Sequence, residues 1–165
     1  MRNKLLVLII LLINLNFIIA QIPTYHQFYG SVIDSEGNVV DKNLDIEAYI
    51  NETLVGSVTT KNGTYGEKVL FFVEDGENGD LIEFFINDIL SGNYTFMNEE
   101  TTELDLVWPC GNGIFEKSKG EQCDSDAIPS NCRKEGYDSG VLKCTFDCKL
   151  DFSDCKHHTG GGGGS

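Results

Sequence analysis

Leu44-Asp45-Ile46-Glu47-Ala48-Tyr49-Ile50 is the stretch that decides the fold. Leu44, Ile46, Ala48 and Ile50 fall on alternate positions, with Asp45, Glu47 and Tyr49 between them. A period of two is the period of a β-strand, so this segment has one dry face and one wet face. Working outward, Ile82, Phe84 and Ile86 share a face opposite Glu83 and Phe85. Leu104, Leu106 and Trp108 alternate with Glu103, Asp105 and Val107. Three more apolar runs cover 28–34, 54–59 and 69–73. Turn signals separate them: Ser35-Glu36-Gly37-Asn38, Lys61-Asn62-Gly63, the acidic loop 75–80 and Ser91-Gly92-Asn93. No window carries a capped helical stripe. Six or seven short strands at this spacing predict an all-β protein with a two-sheet sandwich over 21–108.

Charge divides the chain at the end of that sandwich. Residues 21–108 carry three lysines against seventeen acids, whereas 109–165 carry seven bases against nine acids. All six cysteines lie in the second part, so a module boundary is expected near Trp108-Pro109-Cys110. The net charge of −14 excludes a nucleic-acid binder working through phosphate contacts. It also disfavours binding to an anionic membrane surface. A hydrophobic content of 41% and an aromatic content of 10% exclude a disordered chain.

The N-terminus reads as a secretory signal peptide over 1–20. Arg2 and Lys4 precede an apolar stretch over 5–19, and Ala20 is a small residue at the expected cleavage point. The rival, an uncleaved anchor, is short of the roughly 20 residues a span needs and contains Asn14 and Asn16. No later stretch is long and apolar enough to span a membrane, so the mature chain is expected to be secreted or associated with the cell surface. At the other end, 157–165 reads as a flexible glycine-rich tail.

Cys110, Cys123, Cys132, Cys144, Cys148 and Cys155 form an even set behind a signal peptide, in a segment (109–156) too small for a good core. Three disulfides are the expectation, with the pairing left open by sequence. Zinc is the alternative, but only Cys144 and Cys148 have ligand-like spacing.

Two resemblances attach to these residues. Phe28-Tyr29-Gly30-x-Val32, Ile46-x-Ala48-Tyr49-Ile50-Asn51, Leu54-Val55-Gly56, Gly63-x-Tyr65-Gly66 and Gly79-Asp80-x-Ile82-x-Phe84-x-Ile86-Asn87 resemble a sandwich module of archaeal secreted and surface proteins. That module is similar in shape to carboxypeptidase-regulatory-like (transthyretin-like, Ig-like) domains. The resemblance implies a spacer or interaction platform without catalysis. Cys110-Gly111-Asn112-Gly113-Ile114-Phe115-Glu116, then Gly120-Glu121-Gln122-Cys123-Asp124, resembles the start of a C-G-N-G cysteine-rich repeat of myxobacterial and archaeal exported proteins. The later cysteines fit the same pattern through Cys155. One departure is a longer gap between the first two cysteines, through Lys117-Ser118-Lys119.

Three places carry candidate chemistry. Asn112, Glu116, Glu121 and Asp124 place four oxygen-bearing side chains around a glycine-rich reversal. Two readings stand: a bound calcium ion, or side chains that accept backbone N–H groups and shape the loop. The acidic loop around Glu74, Asp75, Glu77 and Asp80 lacks EF-hand spacing and reads as a solvated turn. Asn51, Asn62 and Asn93 each open an N-x-Thr sequon, expected at strand ends or turns.

No hydrolase, phosphate-loop or dinucleotide motif is present, and an enzyme is not expected. The leading expectation is a secreted cell-surface, adhesion or interaction module meeting an extracellular protein or glycan partner. Its alternatives are a filament subunit that donates residues 21–27 as a strand to its neighbour, and a small disulfide-rich enzyme inhibitor.

Overall fold

The structure is a computed structural model describing residues 23–125 and 127–157. The expected signal peptide and residues 158–165 of the tail lie outside the described residues.

Among the described residues, nine strands build the first part: β1 (Tyr25–Ile33), β2 (Asp45–Ile50), β3 (Thr53–Thr59), β4 (Thr64–Tyr65), β5 (Phe71–Glu74), β6 (Leu81–Ile86), β7 (Ile89–Thr95), β8 (Glu100–Glu103) and β9 (Leu106–Val107). They form two sheets. One has the antiparallel order β3-β2-β6-β7. The other is centred on β1, which pairs antiparallel with β4 and β5 and parallel with β8 and β9. The alternation read from sequence sets the inner faces. Ile46, Ala48, Ile50, Ile82, Phe84 and Ile86 point into the core from one sheet, and Phe28, Val32, Phe71 and Val73 from the other. Phe28 meets Phe84 edge-on at 5.1 Å between ring centroids. The protein is an all-β sandwich followed by a disulfide-rich part.

Two details depart from the sequence reading. Ser91-Gly92-Asn93 is not a turn. It lies inside β7, where the register shifts: Gly92 pairs with Phe84 and Leu90 with Phe85, which leaves Ser91 as the extra residue of a bulge. The reversal is instead Asn87-Asp88, both at positive φ (48° and 70°), a conformation Asn and Asp tolerate better than most residues. The alternating run 104–108 is also not one strand. The ladder is interrupted at Leu104 and Asp105: the Leu104 N–H still donates to the Tyr29 carbonyl at 2.8 Å, but its own carbonyl accepts the Tyr65 hydroxyl at 2.5 Å and the Asp105 carboxylate accepts the Ser31 N–H at 2.9 Å. Gly30 is required here, since a β-carbon would collide with the Leu104 carbonyl oxygen. Leu106 and Trp108 nonetheless face inward as the alternation predicts.

The second part has little regular structure: a 3-10 turn at Lys117–Lys119 and a short ladder of β10 (Lys143–Cys144) with β11 (Leu150–Asp151). Three disulfides hold it, Cys110–Cys148, Cys123–Cys144 and Cys132–Cys155. Their Cα pairs lie 5.7, 5.8 and 5.5 Å apart, inside the range a disulfide spans.

Candidate functional site

The glycine-rich reversal after Cys110 is built around Asp124. Its carboxylate is fully buried and accepts the Gly111 N–H at 2.8 Å and the Gly113 N–H at 2.9 Å, one on each oxygen. Gly111 and Gly113 stand at φ 89° and 82° with open space around a notional β-carbon. Glycine is therefore needed for its backbone angle and not for room. Asn112 Oδ1 accepts the Ile114 N–H at 2.7 Å and closes the turn between them.

Glu116 and Glu121 have opposite surroundings. The Glu116 carboxylate lies 2.9 Å from the Lys119 ammonium and accepts a hydrogen bond from the Asn112 amide at 3.3 Å, which holds its pKa below the usual range. Lys119, in the segment between the first two cysteines, thus supplies the cation that faces it. Glu121 is buried, and one oxygen accepts the Glu116 N–H at 2.6 Å. Its other oxygen, Oε1, has no hydrogen-bond partner. Burial raises the Glu121 pKa.

Asn112, Glu116, Glu121 and Asp124 are therefore neighbours, each engaged by a backbone N–H group or an ammonium. Among the described residues, the ligand atoms that cluster within 4.8 Å of one another belong to Cys110, Cys148 and Glu121, and two of these are the sulfurs of a disulfide. In chemical terms the arrangement fixes a loop and seats a carboxyl group against a disulfide.

The Cys110–Cys148 disulfide also joins the two parts. Both sulfurs' residues are buried in the same apolar cluster as the sandwich core, with Trp108 beside them. The Trp108 indole stacks on Phe146 at 5.1 Å, and the Lys42 ammonium lies 3.6 Å from the centre of the Phe146 ring. Lys42 comes from the sandwich and Phe146 from the tip between β10 and β11. A cleft of about 480 Å³ runs along this junction, with Asp34, Asp41 and Thr145 on its walls. Lys149 adds a second tie by reaching Asp88 at 3.4 Å. Sequence reasoning did not single out Phe146 or Lys42, whose pairing spans the module boundary.

The remaining expected sites are exposed. Asn51 and Asn62 sit in two-residue turns at φ 49° and 52°, as expected for their sequons. Asn93 lies in the middle of β7 instead, on its exposed side, because its neighbourhood is a bulge and not a turn. In the acidic loop, Asp80 accepts the Glu77 N–H at 2.9 Å, while Glu74, Asp75 and Glu77 point to solvent. Tyr25, His26 and Gln27, expected within a donated strand, are all paired with β5 of their own chain, and His26 and Gln27 also with β8.

His26 is, with Thr60, a buried polar residue of the sandwich that the sequence did not flag. It is fully enclosed, stacked on Phe28 at 4.1 Å. Nδ1 accepts the Met97 N–H at 3.0 Å, so the proton sits on Nε2, which donates to Thr102 Oγ1 at 2.8 Å. The histidine thereby ties β1 to β8 and to the loop before it. In comparisons with known proteins, no family model matches the chain and no curated protein matches it.

Proposed function

We propose that the chain is a secreted, non-enzymatic interaction module of the cell surface, in which the sandwich is a spacer and the disulfide-rich part a protease-resistant head. The observation that carries this reading is the Cys110–Cys148 bridge, which lies within the apolar cluster of the sandwich. It makes one braced unit of two dissimilar parts. All six cysteines are in disulfides, as suits an oxidising compartment. The chemistry of the interior points the same way. Its thiols are oxidised, and its buried histidine uses both ring nitrogens in structural hydrogen bonds, which leaves neither as nucleophile or base. The resemblance of the two parts to archaeal surface modules and to the C-G-N-G repeat supports the same reading. It also makes the three sequons glycan sites on exposed ground.

Native mass spectrometry of the exported chain, with and without calcium, tests the proposal. The expected product has lost residues 1–20 and weighs about 6 Da less than its reduced form, two hydrogens for each disulfide. It stays monomeric across concentration and keeps no metal. Free thiols with bound zinc, or assembly that grows with concentration, would overturn the reading. A calcium adduct that survives desalting would assign the loop from Asn112 to Asp124 a metal-binding role.

A further inference from the structure

The wet face of the sheet formed by β3, β2, β6 and β7 contains more than solubility requires. Tyr49 of β2 and Phe85 of β6 point outward, half-buried, with ring centroids 5.4 Å apart and planes at 80°. They share a shallow pocket of about 330 Å³ with Glu47, Glu52, Glu83 and Asp88. The register explains the grouping. Glu47 is paired with Phe85 and Tyr49 with Glu83, so rings and carboxylates alternate across the two strands. Glu52 and Asp88 come from the tight turns at opposite ends. Carboxylates alone would keep such a face wet and unpaired with other sheets. Two aromatic rings between them work against that purpose and call for another explanation.

We propose that this face binds an arginine side chain presented by a basic partner protein, an inference that rests on the reading of the chain as an interaction module. The argument is one of donors and acceptors. Every charged group on the walls is a carboxylate, which only accepts. The one hydroxyl, on Tyr49, already donates to Glu47 Oε2 at 2.9 Å. A ligand must therefore bring donors and needs no acceptor. Sugar hydroxyls need both. A guanidinium has five N–H donors, no acceptor, and a flat face that stacks on aromatic rings. An inorganic cation fits less well. The one oxygen of the aromatic centre, the Tyr49 hydroxyl, is already bound to Glu47, and among the described residues no three of these carboxylates bring ligand atoms within 4.8 Å of one another.

Charge supports the choice of partner. The four strands of this sheet carry no lysine or arginine. The cation that does reach the pocket rim is Lys149 from the disulfide-rich part, 3.4 Å from Asp88. A net charge of −14 draws a basic partner from a distance and repels a second copy of the same chain. Lysine is the near rival, but its ammonium is a strongly hydrated point charge with no planar face to lay on Phe85.

The test is a titration of the full exported chain with a blocked peptide containing two arginines, followed by NMR of the backbone amides. Peptides with lysine or glutamine at the same positions serve as comparisons. Saturable shifts centred on β2 and β6 are expected, with the arginine peptide binding tightest and the glutamine peptide not at all. Phe85→Ala weakens binding by about threefold to fivefold, the loss expected when an aromatic partner worth roughly 0.5–1 kcal/mol to a solvent-exposed cation is removed. The turn pair Glu52→Gln with Asp88→Asn, outside the strands, weakens it without touching the sheet. The proposal is overturned by shifts spread over all acidic residues, by equal binding of the glutamine peptide, or by a Phe85→Ala variant that stays folded and binds unchanged. A monomeric, three-disulfide chain that fails to bind the arginine peptide removes this inference alone. Free thiols or zinc in the same preparation remove the reading beneath it.

Discussion

The sandwich and the disulfide-rich part solve the same problem with different means. In the sandwich, Phe28, Phe71, Phe84 and Phe96 are fully buried along with a shell of isoleucines and valines. Its acids stay outside, and among the described residues its buried polar side chains are His26 and Thr60. In the second part the described buried side chains are chiefly cysteines, with Leu142, Glu121 and Asp124. About ninety residues can enclose an apolar core, and about fifty with this composition cannot, because the buried fraction falls with size. The shorter part replaces burial with covalent bonds and uses buried carboxylates to hold its turns. A buried acid therefore has a different meaning in each: in the sandwich none is buried, whereas in the second part Asp124 organises the first loop.

The comparison breaks most visibly under reduction. The three disulfides close loops with separations of 38, 21 and 23 residues. Each restricts the unfolded chain by about 3–4 kcal/mol on the loop-entropy argument. A reducing agent strong enough to open all three is expected to unfold the second part while the β-sheet circular dichroism of the sandwich persists. Phe84→Ala gives the converse. It removes a ring that contacts Phe28 and Phe71 and costs the sandwich about 3–5 kcal/mol, with the three disulfides still mapping to the same peptides. If reduction instead melts both parts together, the shared cluster around Cys110 and Cys148 dominates and the division into two regions fails.

A smaller effect sharpens the boundary. Phe146 is held between Trp108 and Lys42, so Phe146→Ala removes a ring stack and a cation–π contact together. The expected loss is about 1–2.5 kcal/mol, from about 0.5–1.5 for the aromatic pair and about 0.5–1 for the cation. The readout is the separation of the two melting transitions in calorimetry. They draw apart in the variant and coincide more closely in the parent. Unchanged transitions would mean that the Cys110–Cys148 bridge couples the two parts without help from the stack.

The same contrast explains what could be read from sequence. The faces of β2 and β6 were legible because burial on one side enforces a period of two over six residues. The Lys61-Asn62-Gly63 turn was legible because its residue types match its positive φ values. Ser91-Gly92-Asn93 misled because the same residue types that favour turns also favour bulges, and only the pairing partner distinguishes them. β8 was missed because Glu-Thr-Thr-Glu has no apolar face, and its place depends on β1 and not on its own pattern. In the second part, the need for disulfides was legible from count and context, but their pairing depends on contacts remote in sequence. The engagement of Asp124 by Gly111 and Gly113 was half visible, since glycines and an acid at that spacing favoured backbone N–H groups over a metal without choosing between them. Lys42 with Phe146 had no signal at all, because neither residue belongs to a motif.

The finest distinction is in pH. His26 is enclosed by Phe28 below and by the edges of Tyr94 and Phe96, and both nitrogens are engaged. Burial lowers its pKa, and the nearby Glu100 carboxylate opposes that shift only in part. A second proton would have to enter at Nδ1, where the Met97 N–H points, so protonation sets two donors against each other. The unfolded chain binds that proton at about 6.5 and the folded chain only at lower pH. Between those values the unfolded state holds more protons, so stability rises with pH. The contribution of neutral His26 is thus complete above the unfolded pKa and is lost as pH falls through 6.5 toward the folded value. Denaturant melts across this window are expected to show a downward slope toward acid in the transition assigned to the sandwich. His26→Gln keeps polar groups at the site but does not titrate, and should flatten that slope while lowering stability at neutral pH. The disulfide-rich part contains no such buried histidine among its described residues, so its own transition should not share the slope. A parent protein whose sandwich stability is flat between neutral pH and the onset of carboxylate titration would show that β1, β8 and the Met97 loop rearrange to accept the charge.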